Sequence, residues 1–368
     1  MQLPFKPIPM IVVAGLSSLV GGALGVLLLV FMLLLTQASL GREEADKHGI
    51  SERNASRMGG VAIAIGALLF CIPAILNQNP LGQSEAQMSL FRGYEWAPLL
   101  IGFIGLADDI TQRISPMRRL LAMLLVVVIT LMTFPEIVPE QIDFLILSDL
   151  LNHPFVMTIA ATIIVVGFVN AGNIADGANG LLAITSLCVF YLAYQHTESV
   201  LFFGLFVSVA VFTLYNLASG RIFLGDFGSY GLSAMMAFAC LDILATSNAS
   251  IWFFAAILSY PCTEVVRVIT NRLLRNRSPF AADNSHVHNK LFTLLKRIGF
   301  SSLVANSATG VAISGLFSVL PTYLAVSGLL PWDSALWFVY FVAGVIVHLG
   351  LSMLNRQEKV EQHCADGV

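Results

Sequence analysis

At 368 residues, 57% hydrophobic and only 11% charged, the chain falls far below the roughly 25% charged of a soluble domain, which excludes a soluble globular protein. The net charge of −3 says little about partners, because charge in this chain is partitioned by side, and no nucleic-acid partner is expected. The five cysteines show no metal-ligand spacing and imply no disulfide framework.

Taken in chain order, apolar runs long enough for a hydrocarbon core of about 30 Å lie at approximately 9–37, 59–77, 94–107, 118–134, 155–171, 179–194, 199–217, 229–245, 250–268, 302–328 and 333–354. The fold class expected is therefore all-α, a polytopic integral membrane protein of about eleven transmembrane helices forming one domain, 1–368. With the N-terminus outside and the C-terminus cytoplasmic, every Lys and Arg except Lys6 and Arg92 lies in an inner segment, as the positive-inside rule requires. The first run is too long for a signal peptide and has no convincing cleavage site, so a retained helix is expected. Inner loops fall at 41–58, 107–118, 170–180, 218–229 and 269–300, and four of them carry polar clusters.

Asp108-Asp109 ends the third run. Adjacent carboxylates repel unless a cation or basic neighbour relieves them, and Arg113, Arg118 and Arg119 follow closely. The pair reads either as a solvated loop or as carboxylates that help hold Mg²⁺ or handle the proton of a phosphate nucleophile. Asn170-Ala-Gly-Asn173-Ile-Ala-Asp176-Gly177-Ala-Asn179-Gly180 is richer in polar groups than a turn needs. Its glycines permit close backbone approach to a ligand, and the helix starting near Gly180 would aim free amides at an anion.

Gly225-Asp226-Phe-Gly228-Ser229 sets a lone acid between glycines before the next run. It reads either as a helix N-cap or as an oxygen ligand for Mg²⁺, which usually takes one or two carboxylates together with substrate phosphates. The last inner loop holds Asp283, His286, His288 and Lys290 among several arginines. Two histidines make a poor zinc site, and the surrounding basic residues favour anion binding.

The ordered set Asp-Asp, Asn-x-x-Asn-x-x-Asp-Gly-x-Asn-Gly, Gly-Asp-x-Gly-Ser and Ser-Pro-Phe-x-x-Asp-x-x-His-x-His resembles the polyprenyl-phosphate N-acetylhexosamine-1-phosphate transferases. Arg57-Met-Gly59-Gly60 and Pro261-Cys-Thr-Glu264 with Arg272 extend the match, which runs from about 45 to 295. The resemblance implies a bacterial inner-membrane enzyme, active site facing the cytoplasm, that moves a sugar-1-phosphate from a UDP-sugar to undecaprenyl phosphate and releases UMP. It implies Mg²⁺, with Mn²⁺ as a substitute, and a homodimer, since relatives are often dimers.

By carry-over, Asp226 resembles a metal ligand, with Asn173 as a second. Asp108 and Asp109 resemble the carboxylate pair near the lipid phosphate. Arg118 resembles a phosphate contact and Asn179 a nucleotide-sugar contact, while Asn170, Asp176, His286, His288 and Lys290 complete the substrate-binding set. Three departures stand out: Asn179 where bacterial members commonly have Asp, Asn284 where Arg is usual, and Asn289 where a further His is usual. The last argues against the branch that uses UDP-N-acetylmuramoyl-pentapeptide.

The rival readings are a lipid transporter and a noncatalytic scaffold. Transporters tend to place charge near the membrane midplane, whereas these runs are nearly free of it apart from Asp242, Glu264 and Arg267.

Overall fold

The computed structural model describes residues 23–37, 42–43, 55–76, 92–111, 113–142, 144, 147–278 and 286–354. Most of the expected 41–58 loop, Asp283 and Asn284, and both chain ends lie outside the described residues.

Fifteen helices are described: α1 Ala23–Gln37, α2 Gly59–Leu76, α3 Trp96–Thr111, α4 Pro116–Thr133, α5 Ser148–Leu151, α6 Pro154–Ala175, α7 Leu181–Thr197, α8 Val200–Ser219, α9 Gly225–Thr246, α10 Ile251–Ile257, α11 Ser259–Leu274, α12 Val287–Arg297, α13 Ser302–Ser314, α14 Leu320–Val326 and α15 Leu336–Ser352. A π-helical stretch, Gly315–Val319, joins α13 to α14. Two short strands, β1 Arg42–Glu43 and β2 Ala55–Ser56, pair antiparallel.

Each of the eleven expected runs contains a helix, a continuous helical run or a bent helix pair. Five of these helical runs are long and apolar enough to cross a membrane, or six if α10 and α11, bent by 74°, count as one broken span. The chain is thus a helical polytopic membrane protein. Helix ends follow local chemistry. Ser115 caps α4, its hydroxyl accepting from the Arg118 N–H at 3.4 Å with Pro116 in the first turn, as helix starts favour. α8 stops at Gly220, whose φ of 59° is the left-handed conformation that ends helices.

α9 is the central post. Nearly all of its side chains from Phe227 to Ile243 are buried, and α2, α3, α6 and α7 pack around it. Outer helices present Leu68, Phe103, Leu125, Ile163 and Ile346 outward, as helices facing lipid do. Chain direction alternates at one end of this bundle. α2 and α9 start there together, Gly59 and Gly60 N–H donating to Phe223 and Leu224 carbonyls at 2.9 Å. α4, α7 and α13 also start there, and α3, α6 and α8 finish there. Polar segments far apart in sequence therefore converge on one place.

Candidate active site

Three carboxylates and two guanidiniums meet at that end. Successive helical residues point about 100° apart, so Asp108 and Asp109 at the close of α3 face different partners. Asp108 Oδ2 accepts from Arg119 Nη1 at 2.5 Å, and its Oδ1 accepts from the Ile114 N–H at 3.2 Å. Asp109 Oδ1 lies 3.0 Å from Arg57 Nη1, and its Oδ2 accepts from the Asp226 N–H at 2.7 Å.

Asp226, in the first turn of α9, sits between the two arginines. Its Oδ2 is 3.4 Å from Arg119 and its Oδ1 is 3.6 Å from Arg57, so each guanidinium is shared by two carboxylates. Gly225 makes the approach possible. Its φ is 68°, and a Cβ there would lie 2.1 Å from the Arg57 carbonyl oxygen and 3.0 Å from Asp109 Oδ2. At the close of α6, Asn173 Nδ2 donates to Asp226 Oδ1 at 3.2 Å and to Ser229 Oγ at 2.7 Å.

The charges do not balance. Burial and then the Asp226 charge push the Asp109 carboxyl up to about 6, against the opposing pull of Arg57. Just past α6, desolvation and then Asp226 hold Asp176 well above the usual carboxylate range. Among the described residues, the basic side chains set against Asp108, Asp109, Asp176 and Asp226 are Arg57 and Arg119, so carboxyl groups outnumber guanidiniums. That surplus fits a divalent cation. Among the described residues no group of three or more His, Cys, Asp or Glu is set to hold a metal, but Mg²⁺ needs only one or two carboxylates when substrate phosphates supply the rest. Because the amide nitrogen of Asn173 is turned to Asp226, the atom it has for a cation is its oxygen.

The histidine segment adjoins this cluster through Gly177, one residue from Asp176. A Cβ on Gly177 would fall 2.0 Å from His288 Nε2, so the imidazole seats where any side chain would stand. His288 Nδ1 lies 3.0 Å from the Tyr260 hydroxyl, and His286 Nδ1 is 2.9 Å from Glu264 Oε1.

Of the residues singled out in the sequence, Asp108, Asp109, Asn173 and Asp226 come together, with Asp176, His286 and His288 alongside. Others are placed differently. Arg118 is exposed, and Arg119 makes the carboxylate contacts. Asn179 is buried and tied to α13 and α8: its N–H donates to Asn306 Oδ1 at 2.8 Å, and its Nδ2 donates to Ser307 Oγ at 3.2 Å. Beside it the Gly180 N–H donates to Asn216 Oδ1 at 2.8 Å. Asn170 Nδ2 donates to the Val166 carbonyl of its own helix at 2.8 Å, and Lys290 Nζ donates to the Ser352 carbonyl.

Arg57, Arg119, Tyr260 and Glu264 take no site role from the sequence alone. The signal for Arg119 lies in helix geometry. Ser115 fixes where α4 starts, and Arg118 and Arg119 then point about 100° apart.

A family model described as glycosyl transferase family 4 matches residues 92–244. The phospho-N-acetylmuramoyl-pentapeptide-transferase of Staphylococcus saprophyticus is 25% identical over 276 residues, 68% of this chain and 81% of that protein. The protein of that name from Streptococcus uberis is 29% identical over 211 residues, 53% of this chain and 61% of that protein. The undecaprenyl-phosphate alpha-N-acetylglucosaminyl 1-phosphate transferase of Thermotoga maritima is 33% identical over 150 residues, 37% of this chain. The match spans 46% of that relative's length. The family match covers α3 to α9, the helices that bring Asp108, Asp109, Asn173 and Asp226 together, and with these relatives it supports the polyprenyl-phosphate hexosamine-1-phosphate transferase family.

Proposed function

We propose that this chain transfers an N-acetylhexosamine-1-phosphate from a UDP-sugar to undecaprenyl phosphate, with release of UMP. The reaction would initiate a lipid-linked surface glycan, such as O-antigen, capsule or exopolysaccharide, on the cytoplasmic face of a bacterial inner membrane. The observation that carries this reading is the surplus of carboxylates over guanidiniums where helix ends meet. Phosphoryl transfer is mainly positioning and charge neutralisation, and a site for two anionic substrates needs groups that hold cationic partners in place.

An oxygen of the lipid phosphate attacks the sugar-bearing phosphorus in line. The bond from that phosphorus to the bridging oxygen breaks, and UMP leaves with the electron pair. Asp226 and the Asn173 amide oxygen would hold Mg²⁺, which when bound supplies charge neutralisation at the diphosphate. Arg57 and Arg119, each shared between carboxylates, can turn part of their hydrogen bonding to an incoming phosphate without leaving the cluster. Asp109, whose carboxyl is raised by burial and the neighbouring Asp226 charge, is placed to hold a proton of the lipid phosphate.

A second donor is favoured by one specific observation. The relatives aligned over 81% of their own length bear the name phospho-N-acetylmuramoyl-pentapeptide-transferase. Offering purified protein UDP-N-acetylglucosamine, UDP-N-acetylgalactosamine and UDP-N-acetylmuramoyl-pentapeptide, and reading the mass of the lipid product, separates the two. An N-acetylhexosamine-phosphate adduct is expected. Product from the pentapeptide donor alone would replace this reading with the second.

A further inference from the structure

α11 meets the histidine segment with two residues one helical turn apart, Tyr260 and Glu264, and each takes one Nδ1. The rings of His286 and His288 are stacked, centroids 5.1 Å apart and planes 8° from parallel. With both Nδ1 atoms engaged by α11, both Nε2 edges turn away from it, and that of His288 is the one over Gly177.

We infer that Tyr260 and Glu264 are positioning residues that set opposite tautomers on His288 and His286, so that the pair meets the diphosphate of the nucleotide sugar with one fixed N–H donor and the Nε2 edge of His286. This rests on the transferase reading above.

The tautomers follow from hydrogen-bond chemistry. A carboxylate only accepts, so His286 Nδ1 carries a hydrogen and donates to Glu264, and Nε2 is the other ring nitrogen, turned from α11. His288 is buried, and burial and then the neighbouring His286 hold it down to about 3, so it stays neutral. Either partner of the Tyr260–His288 contact is chemically able to donate; we assign the hydroxyl as donor to Nδ1, which places the ring hydrogen on Nε2, beside Gly177.

Glu264 is fully buried and is fixed as an acceptor by Arg267, whose Nη2 donates to Oε1 at 2.5 Å and Nε to Oε2 at 3.2 Å. From α15, the fully buried His348 brings Nε2 within 2.9 Å of Oε2. Among the described residues, the charged and titratable groups around the pair are Glu264, Arg267, Tyr260 and His348, with Asp176 next to the Gly177 on which His288 seats. A buried carboxylate is retained only where such partners surround it, and here their arrangement leaves one lone-pair direction for His286.

A purely structural tie between α11, α12 and α15 would show the same contacts but not the same responses. Full-length protein in nanodiscs, labelled with ¹⁵N-histidine and assigned with His286→Gln and His288→Gln, reports the tautomers directly. His286 should show a protonated Nδ1 and His288 a protonated Nε2, and Tyr260→Phe should shift His288 to a mixture. Donor kinetics supply the second reading. Tyr260→Phe should raise donor KM about tenfold, the size of one hydrogen bond, leaving lipid KM unchanged and adding nothing in a His288→Gln background. Glu264→Gln should likewise raise donor KM with no further rise in a His286→Gln background, together with a lower thermal midpoint, because it strands the buried Arg267 guanidinium.

An unchanged His288 tautomer in Tyr260→Phe, or equal losses with and without the histidine, would overturn the inference. If no donor yields UMP, the transferase reading fails by that result, while the ¹⁵N spectra still decide the positioning.

Discussion

α9 carries two aspartates at opposite ends, Asp226 and Asp242, about 24 Å apart along the axis at 1.5 Å per residue. Asp242 is almost wholly buried and has one full partner, forming an ion pair with Arg92 and accepting from the Tyr94 hydroxyl at 3.2 Å. Asp226 is more open and shares two arginines with Asp108 and Asp109. The same side chain on the same helix is therefore balanced at one end and oversupplied at the other. A balanced buried pair holds helices together. A cluster with surplus charge keeps its groups in place yet gains when a cation or a protonated ligand arrives.

The sharpest way to break this comparison is to neutralise each aspartate in turn. Asp226→Asn should lower kcat by at least about 10³-fold, the upper range for losing one transition-state electrostatic contact, with the purified protein still folded by thermal melting. Asp242→Asn should leave kcat per folded molecule near wild type. Equal losses in both would erase the distinction between the two ends.

Next come the adjacent arginines. Arg119→Ala should cost about 10²-fold in kcat, whereas exposed Arg118→Ala should stay near wild type. The reverse order would return the phosphate contact to Arg118. At the far end, Arg92→Ala strands a buried carboxylate and should cost about 3 kcal/mol, read as a lower denaturation midpoint with activity per folded molecule retained.

The smallest effect is a pH dependence. Because the folded-state pKa of Asp109 is raised to about 6, its stabilising contribution is full below the ordinary carboxylate value near 3.9 and is lost as pH rises through 6. Melting in EDTA from pH 4 to 7 should show wild type losing stability over that window relative to Asp109→Asn. A constant difference between the two would contradict the shift.

Much of the fold and of the carboxylate cluster is legible in the sequence. Apolar runs bounded by charge locate the helices, since the cost of placing charge in hydrocarbon acts residue by residue. The Asp-Asp, Asn-rich and Gly-Asp motifs locate the cluster, because close carboxylates and close backbone approach need those residue types. Pairing over long range is not legible. Arg92 and Asp242 are both conspicuous, one as an outer basic residue and the other as a charge within a span, yet only packing shows that they meet. Arg119 is hidden beside Arg118 because composition cannot register a 100° turn. Asn179 looks like a ligand group, but the approach of α13 gives its amide protein partners instead. Glu264 lies within a recognised motif, and its role depends on an α15 histidine more than eighty residues away.

The most direct test of the central claim is UMP release by the purified full-length protein with undecaprenyl phosphate and UDP-sugar, with Mg²⁺ and with excess EDTA, counted against lipid product. One UMP per lipid-linked sugar phosphate is expected with Mg²⁺ and none with EDTA. A folded protein that binds the lipid phosphate but releases no UMP with any donor would contradict the transferase reading and favour a lipid transporter.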